Sequence, residues 1–235
     1  MTRIAAAIPA YQAGASVGDV VRRTREVLPE VLVVDDGSSD ATAEAARGAG
    51  AELMAHRVNR GKGAALVTAF RTLFARGCDA VVTLDADGQH LPEEIPKLLD
   101  AAREADFVLG TRAHLFDEMV AARRVANRLS SWVISWAAGQ PLSDVQTGFR
   151  LYTRRLVEAT GFPETRFDAE SAVVVRACRR GFRVVTVPVR LGFADGRTTS
   201  HYRPLVDSLR IARSVVRARL DVVPPAGVGG SGGAR

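Results

Sequence analysis

The sequence has few cysteines and no long apolar run, and these two features limit the classes of protein to which it can belong. Its 235 residues include two cysteines, Cys78 and Cys178, without the short spacing of a metal-binding pair. We therefore expect a reduced, cytoplasmic protein with two buried thiols. No stretch approaches the roughly 20 apolar residues that a membrane-spanning helix needs. The apolar patch at the N-terminus is too short for a signal peptide.

The charge favours anionic partners without favouring nucleic acid. The chain carries 32 Lys and Arg against 26 Asp and Glu, a net charge of +6, and nearly all the basic residues are arginine. Phosphates or an anionic membrane surface suit such a chain, although a genome that prefers arginine codons is an equal explanation. The sequence has no RNA-binding aromatic signature, zinc-finger spacing or basic tract, so we expect no nucleic-acid partner.

Apolar strands and helices alternate along the first half of the chain. The patterns predict strands over residues 3–8, 31–34, 52–55, 80–84, 107–109 and 183–187, and helices over 15–28, 40–47, 62–76, 92–104, 121–138, 167–180 and 205–220. This order is typical of an α/β fold with a Rossmann-like, mainly parallel central sheet and helices on both faces. The length fits one large domain or two small ones, and we expect one domain over 1–220 followed by a flexible Gly-rich tail over 221–235.

The segment Val81–His90 is the most informative part of the sequence. An apolar strand ends in two carboxylates, Asp85 and Asp87, and Gln89 follows. Residues two apart in extended chain point the same way, so three oxygen donors could share one small space. Mg²⁺ or Mn²⁺ accepts such ligands and takes others from substrate phosphates. A metal–diphosphate site is therefore predicted here, with a simple polar turn as the alternative.

Two more loops follow predicted strands at the same edge of the sheet. A role as a helix cap accounts for Asp40. Asp35 and Asp36 then remain, and they could accept hydrogen bonds from a base or a ribose. The loop 59–64 resembles a phosphate loop, but His56 replaces its first glycine and Gly63 replaces its Ser or Thr. It remains a Gly-rich helix start that suits either an anion or close packing.

The second half of the chain adds arginines, acids and a polar loop. Arg112 and Arg150 are candidate phosphate ligands, although an isolated arginine is more often a surface charge. Asp168 and Glu170 stand at a helix start, where acids are ordinary. The loop 192–202, with Arg197, is either a mobile lid or a plain loop.

Taken in order, these motifs resemble the inverting nucleotide-sugar glycosyltransferases of family 2, which have the GT-A fold. Within that family they are most similar to polyprenyl-phosphate sugar transferases, such as the dolichyl-phosphate mannosyl- and glucosyltransferases. The resemblance spans about residues 4–220. The matching segments are Pro9–Tyr11, Val34–Ser38 with Asp40, Asn59–Gly63, Asp85–His90, Gly110–Arg112, Gln146–Arg150 and Asp168–Glu170.

The resemblance implies a role for each of these segments. The nucleotide-sugar site is implied to comprise Pro9, Tyr11, Asp35, Asp36, Lys62, Asp85, Arg197 and Ser200. The implied metal ligands are Asp85, Asp87 and Gln89, and the implied ligands of the acceptor phosphate are Arg112, Arg124 and Arg150. The implied catalytic set is Asp85, Asp87, Arg112, Arg150, Asp168 and Glu170.

The expected reaction is metal-dependent transfer of a hexose from a nucleotide-sugar to a polyprenyl phosphate at the cytoplasmic membrane face. Such an acceptor is already an anion and needs no base, whereas a hydroxyl acceptor would need Asp168 or Glu170. The basic stretch Arg123–Trp136 suits peripheral contact with anionic lipid, although an ordinary core helix fits too. Two alternatives are a soluble glycosyltransferase that modifies a hydroxyl, and a nucleotide-binding regulatory protein without turnover.

Overall fold

The computed structural model describes residues 2–111, 131–142, 145, 147–166, 168–192 and 204–221, with only the backbone for 204–210. The strands are β1 Ile4–Ala10, β2 Val31–Asp35, β3 Glu52–Ala55, β4 Ala80–Thr83, β5 Phe107–Thr111, β6 Arg150–Thr153 and β7 Val184–Pro188. The helices are α1 Val17–Val27, α2 Thr42–Gly48, α3 Lys62–Ala75, α4 Ile95–Ala101, α5 131–138, α6 Arg154–Thr160, α7 Asp168–Arg179 and α8 Pro204–Leu220, with a 3₁₀ turn at Pro92–Glu94.

The strands of the described residues form one mixed sheet in the order β3-β2-β1-β4-β6-β5-β7. Neighbouring strands run parallel, except that β6 runs antiparallel to both β4 and β5. Because β6 is reversed, its first residue lies at the edge where the parallel strands end. That edge is where ligands bind in open α/β sheets.

Helices cover both faces of the sheet, as the apolar strands predicted. Along β1, alternate residues face opposite cores: Ala5 and Ala7 pack with Leu66 and Phe70 of α3, while Ile8 packs with Val21 of α1. This two-residue alternation is the period of a strand. The first core is covered by α3, α7 and α8, and the second by α1, α2 and α4.

Strand register brings the predicted site segments to one edge. Ala10 pairs with Asp35 and Ala7 pairs with Thr83. Consequently Tyr11, Asp36 and Asp85 all leave the sheet on the same side, one or two residues beyond those pairs. The fold therefore gathers the three N-terminal motifs as the sequence predicted.

The predicted α/β fold with a mainly parallel sheet is confirmed, but two of its elements, β6 and α6, were not predicted from the sequence. The helix expected at 40–47 begins at Thr42, and Asp40 supports its start by accepting the Thr42 N–H. Of the helix expected over 121–138, residues 131–138 are helical and the rest lies outside the described residues. The tail from residue 222 onward also lies outside them, so the domain boundary stays a prediction.

Two expectations about composition can be compared with the structure. Among the described residues no helix is both long enough and apolar enough to cross a membrane. Cys78 is a buried free thiol, and Cys178 is a half-buried one, so the prediction of two buried thiols holds fully only for Cys78.

Candidate active site

Three residues that were assigned to the nucleoside lie together at the ends of β1 and β2. Pro9 pairs with Val34 inside the sheet, and Tyr11 directly follows β1 with about a third of its surface exposed. Asp35 ends β2 and accepts the Ser38 N–H at 3.0 Å. An aromatic residue and a carboxylate therefore stand at the ends of two adjacent strands.

Asp36 differs from Asp35 in its hydrogen-bond partners, although both side chains are buried. It accepts the backbone N–H of Arg60 at 2.9 Å and of Gly61 at 2.6 Å. His56 Nδ1 lies 2.6 Å from Asp36 Oδ1, and His56 Nε2 lies 2.9 Å from Thr68 Oγ1 on α3. Asp36 therefore holds the turn that precedes α3, and the nucleoside contact that the resemblance implied for it stays a prediction.

The turn before α3 is also held from the opposite side. A Cβ atom on Gly61 would lie 2.5 Å from Thr165 O, and one on Gly63 would lie 2.6 Å from Glu164 O. Ala64 N donates to Thr165 O at 3.1 Å. The glycines of the loop 59–64 thus serve close packing, which was one of the two readings left open from the sequence.

Lys62, between those glycines, joins two distant acids. Its Nζ lies 2.6 Å from Asp85 Oδ1 and 2.9 Å from Glu170 Oε2. Burial by itself lowers the pKa of Lys62, but the charges of Asp85 and Glu170 outweigh burial and raise that pKa above its usual value. Lys62 is therefore a permanent cation at the centre of the site.

The predicted metal-binding turn follows β4 as expected. Asp87 Oδ1 accepts the Gln89 N–H at 2.9 Å, so the two residues form one tight turn. The Asp85 N–H donates to His90 Nδ1 at 3.2 Å, and the His90 ring stacks on Phe149. These contacts fix the backbone of the turn and leave the Asp85 and Asp87 side chains half-buried at the ligand edge.

The acids of this turn fit a divalent cation only if other groups complete its ligand set. Among the described residues no group of three or more His, Cys, Asp or Glu side chains is gathered closely enough to hold a metal. A Cβ atom on Gly148 would lie 2.5 Å from Asp85 Oδ2, so glycine there lets the Asp85 carboxylate pack closely against the backbone. Two carboxylates suit Mg²⁺ or Mn²⁺ that takes further ligands from water and substrate phosphate.

Arg150 lies in the interior rather than at the ligand surface. Its Nε donates to Thr147 O at 2.6 Å, Nη1 to Glu170 O at 2.6 Å, and Nη2 to Val145 O at 2.8 Å. The side chain is fully buried. Because its donors are directed at backbone carbonyls, Arg150 holds the loop before β6 against α7. This placement does not suit the direct contact with an acceptor phosphate that the resemblance implied.

The two acids of α7 point to different neighbours. Asp168 accepts a hydrogen bond from Ser214 Oγ of α8 at 2.6 Å, whereas Glu170 faces Lys62. Glu170 Oε1 and Tyr152 Oη are buried without hydrogen-bond partners among the described residues. Burial raises the pKa of Tyr152 to about 12, so the phenol stays protonated.

A further contact at this edge was not predicted from the sequence. Residues 190–192 attach to the metal-binding turn, because Gly192 N donates to Gln89 O at 3.0 Å and Leu191 forms a bridge with His90. Arg190 Nε donates to the buried Glu94 at 2.7 Å. Backbone contacts of this kind leave no signal in a single sequence. The contact of His56 with Asp36 was also not predicted, but His56 did carry a signal, because it follows a predicted strand at the ligand edge.

Four of the predicted site residues lie outside the described residues, namely Arg112, Arg124, Arg197 and Ser200. Their roles stay predictions.

Comparisons with known sequences identify the family. Residues 6–161 match the profile of glycosyl transferase family 2. The chain is 34% identical over 205 residues to an undecaprenyl-phosphate mannosyltransferase of Micrococcus luteus, covering 80% of this chain and 82% of the relative. It is 31% identical over 239 residues to a polyprenol monophosphomannose synthase of Mycolicibacterium smegmatis, covering 91% and 87%.

Solved structures share the fold. Glucosyl-3-phosphoglycerate synthase of Mycobacterium tuberculosis, in complex with phosphoglyceric acid, superposes with a TM-score of 0.70 at 21% identity, covering 97% of this chain and 83% of the other. The same synthase with Mn²⁺, uridine diphosphate and phosphoglyceric acid gives a TM-score of 0.65 at 23% identity, covering 97% and 81%. The fold is thus that of the GT-A glycosyltransferases. The chain is a glycosyltransferase and belongs to glycosyl transferase family 2.

Proposed function

We propose that this enzyme transfers a hexose, with inversion, from a nucleotide-sugar to a polyprenyl phosphate, and that it does so with Mg²⁺ or Mn²⁺ at the cytoplasmic face of a membrane. One relative is named as an undecaprenyl-phosphate mannosyltransferase and another as a polyprenol monophosphomannose synthase. The identity to these relatives supports the acceptor class. The chain's own geometry supports the same acceptor independently.

On the donor side, Tyr11 and Asp35 receive the nucleoside at the ends of β1 and β2. Asp85 and Asp87 would hold a divalent cation, which would supply positive charge against the leaving nucleoside diphosphate. The synthase of the same fold was crystallised with Mn²⁺ and uridine diphosphate, which supports this arrangement. Asp36, His56 and Gly61 keep the adjoining turn fixed, so the donor meets a preformed surface.

The state of the two candidate bases is the observation that carries the acceptor assignment. Asp168 is bonded to Ser214, and Glu170 is bound to the ammonium of Lys62 at 2.9 Å. A carboxylate held against a cation is poorly placed to take a proton from a hydroxyl. A phosphate acceptor is already ionised and attacks without that step. Positioning and electrostatics then supply the catalysis.

An exposed apolar face supports contact with a membrane. Trp132 and Trp136 of α5 are 66% and 57% exposed, and Val216 and Leu220 of α8 are exposed as well. Arg219 stacks over the Trp136 ring at 4.2 Å and ties the two helices together. We call these four apolar residues the Trp face. Aromatic side chains beside arginines suit the headgroup region of an anionic bilayer.

The test is a transfer assay with a choice of acceptors. Purified enzyme receives Mn²⁺ and a panel of nucleotide-sugars, with undecaprenyl phosphate in vesicles or with soluble hydroxyl acceptors. We expect sugar on the lipid phosphate alone, no transfer in excess chelator, and a product anomer opposite to that of the donor. Efficient transfer to a soluble hydroxyl with no use of lipid phosphate would support the soluble alternative. Nucleotide binding without turnover on any acceptor would support the regulatory one.

A further inference from the structure

We propose that Lys62 is a positioning residue whose ammonium competes with the divalent cation for Asp85. When the cation binds, the Lys62 ammonium shifts from Asp85 toward Glu170. This inference rests on the proposed function, because it requires a cation at Asp85 and Asp87. It differs from the role in nucleotide-sugar binding that the family resemblance implied for Lys62.

The first support is geometric. One ammonium lies 2.6 Å from Asp85 and 2.9 Å from Glu170, so it is shared between a metal ligand and an acid of α7. The side chain is 14% exposed, which leaves little of it for a substrate. A divalent cation that binds Asp85 brings positive charge within a few ångströms of this ammonium. Repulsion then favours the Lys62–Glu170 contact over the Lys62–Asp85 contact.

The second support is that Glu170 can make a closer contact with the Lys62 ammonium. Its Oε1 atom is buried and has no hydrogen-bond partner among the described residues, although Arg150 Nε lies 3.9 Å away. A buried acceptor without a partner is costly, so a closer approach of Lys62 is favourable there. The shift needs no backbone movement, because a lysine side chain has four rotatable bonds.

The third support is the rigidity of the Lys62 backbone. Asp36 binds the N–H groups of Arg60 and Gly61, and residues 164–165 pack on Gly61 and Gly63. Arg176 and Glu164 form a buried bidentate pair that holds this packing loop. Because the backbone is held on both sides, the Lys62 ammonium stays within reach of both Asp85 and Glu170.

The test measures Mn²⁺ binding to the protein without nucleotide, by calorimetry or electron paramagnetic resonance. Lys62→Met removes the competing charge, so we expect Mn²⁺ to bind about three- to tenfold more tightly while turnover falls. Glu170→Gln leaves Lys62 to Asp85 alone, and we expect Mn²⁺ to bind several-fold more weakly. In the Lys62→Met background the Glu170→Gln effect should shrink, since the residues act on the cation through one bridge.

The chain offers a matched control, because its only other lysine is Lys97. Lys97 pairs with Glu94 and is half exposed, so Lys97→Met removes the same charge away from the site and should leave Mn²⁺ affinity unchanged. If Lys62→Met folds poorly, its double variant with Glu170→Gln should recover part of the lost thermal stability, because one unpaired buried acid is removed. Mn²⁺ binding to that double variant that is tighter than binding to Glu170→Gln alone supports the proposal, and equal or weaker binding contradicts it.

The outcomes separate this proposal from the proposed function. Mn²⁺ affinity that is unchanged or weaker in Lys62→Met overturns the role of Lys62 and leaves the metal site intact. A wild type that binds no Mn²⁺, with or without uridine or guanosine diphosphate, overturns the metal-dependent function itself. Metal-free nucleotide binding that is lost in Lys62→Met would return Lys62 to the nucleotide site and overturn the present proposal.

Discussion

The adjacent acids Asp35 and Asp36 have different hydrogen-bonding roles. Asp35 and Asp36 are chemically identical neighbours at the end of β2, yet one makes a local turn and the other binds three groups from residues 56–61. The difference arises because successive residues in extended chain face opposite sides. A pair of acids at a strand end therefore predicts carboxylates with different partners, without saying which contacts each one makes; here both side chains are buried.

Replacing Asp36 should mainly affect stability. Asp36→Ala removes the acceptor of two backbone N–H groups and of His56, and we expect a loss of about 2–4 kcal/mol in the free energy of unfolding. Asp35→Ala should cost less stability and weaken nucleoside diphosphate binding more. Urea unfolding and nucleotide titration of both variants measure the two effects. Equal losses of stability would contradict the division of roles.

Asp87 should matter for turnover and little for folding. Asp87→Asn keeps an oxygen that can accept the Gln89 N–H but removes the charge, so we expect transfer to fall on the order of a hundredfold or more. The melting temperature of the metal-free protein should stay within the range of a surface substitution. Asp100→Asn, at an exposed pair with Arg103, is the control for loss of one negative charge. Near-normal turnover at limiting Mn²⁺ would remove Asp87 from the metal site.

At the scale of elements, α7 separates its two acids by geometry. Residues two apart on a helix differ by about 200° around its axis, so Asp168 and Glu170 cannot face the same partner. Asp168 points to Ser214 of α8, and Glu170 points to Lys62. The spacing was visible in the sequence, but which side faces the site depends on the packing of α8.

The Asp168–Ser214 contact should be structural. We expect Asp168→Ala and Ser214→Ala each to lower the free energy of unfolding by about 1 kcal/mol, and the double variant to cost little more than one of them. Transfer should be nearly unchanged in all three, whereas Glu170→Gln should slow it. A large loss of kcat in Asp168→Ala at unchanged stability would instead support Asp168 as a base for a hydroxyl acceptor.

Strand β6 was not predicted from the sequence for a physical reason. Strand β6 is four residues long, begins with the buried Arg150 and contains the buried Tyr152. Its two large polar side chains hide the apolar pattern on which strand prediction depends. The longer apolar strands β1, β2 and β5 and the periodic helices α1 and α3 were predicted within one or two residues, because burial and sequence agree there.

At the scale of the molecule, the site was predictable where its chemistry is local. Asp85, Asp87 and Gln89 are close in sequence, and the turn they form was expected. The Lys62 bridge joins acids 23 and 108 positions away along the chain, and only the assembled sheet brings them together. The inward position of Arg150 likewise follows from the reversal of β6, which the sequence did not indicate.

The Trp face should govern attachment to lipid. We expect Trp132→Ser with Trp136→Ser to reduce flotation with anionic vesicles about tenfold or more, since partial burial of one Trp side chain contributes on the order of 1–2 kcal/mol. Binding by the wild type should weaken as salt rises. Val58→Ser, which removes an exposed apolar side chain elsewhere, should have no effect. Flotation of the double Trp variant at the wild-type level would exclude this face.

The reversed strand β6 also sets an order of events during synthesis. Strands β1 to β4 pair with one another, but the other side of β4 is covered only by β6, which begins at Arg150. Until that residue has left the ribosome, the nascent chain carries an unpaired β4 edge, Ala80–Thr83, whose side chains are all buried in the folded protein. Such an edge is a template for association with other chains. A ribosome that stalled between residues 111 and 150 would therefore hold a half-sheet in need of chaperone protection, and translation speed across that interval becomes a determinant of yield.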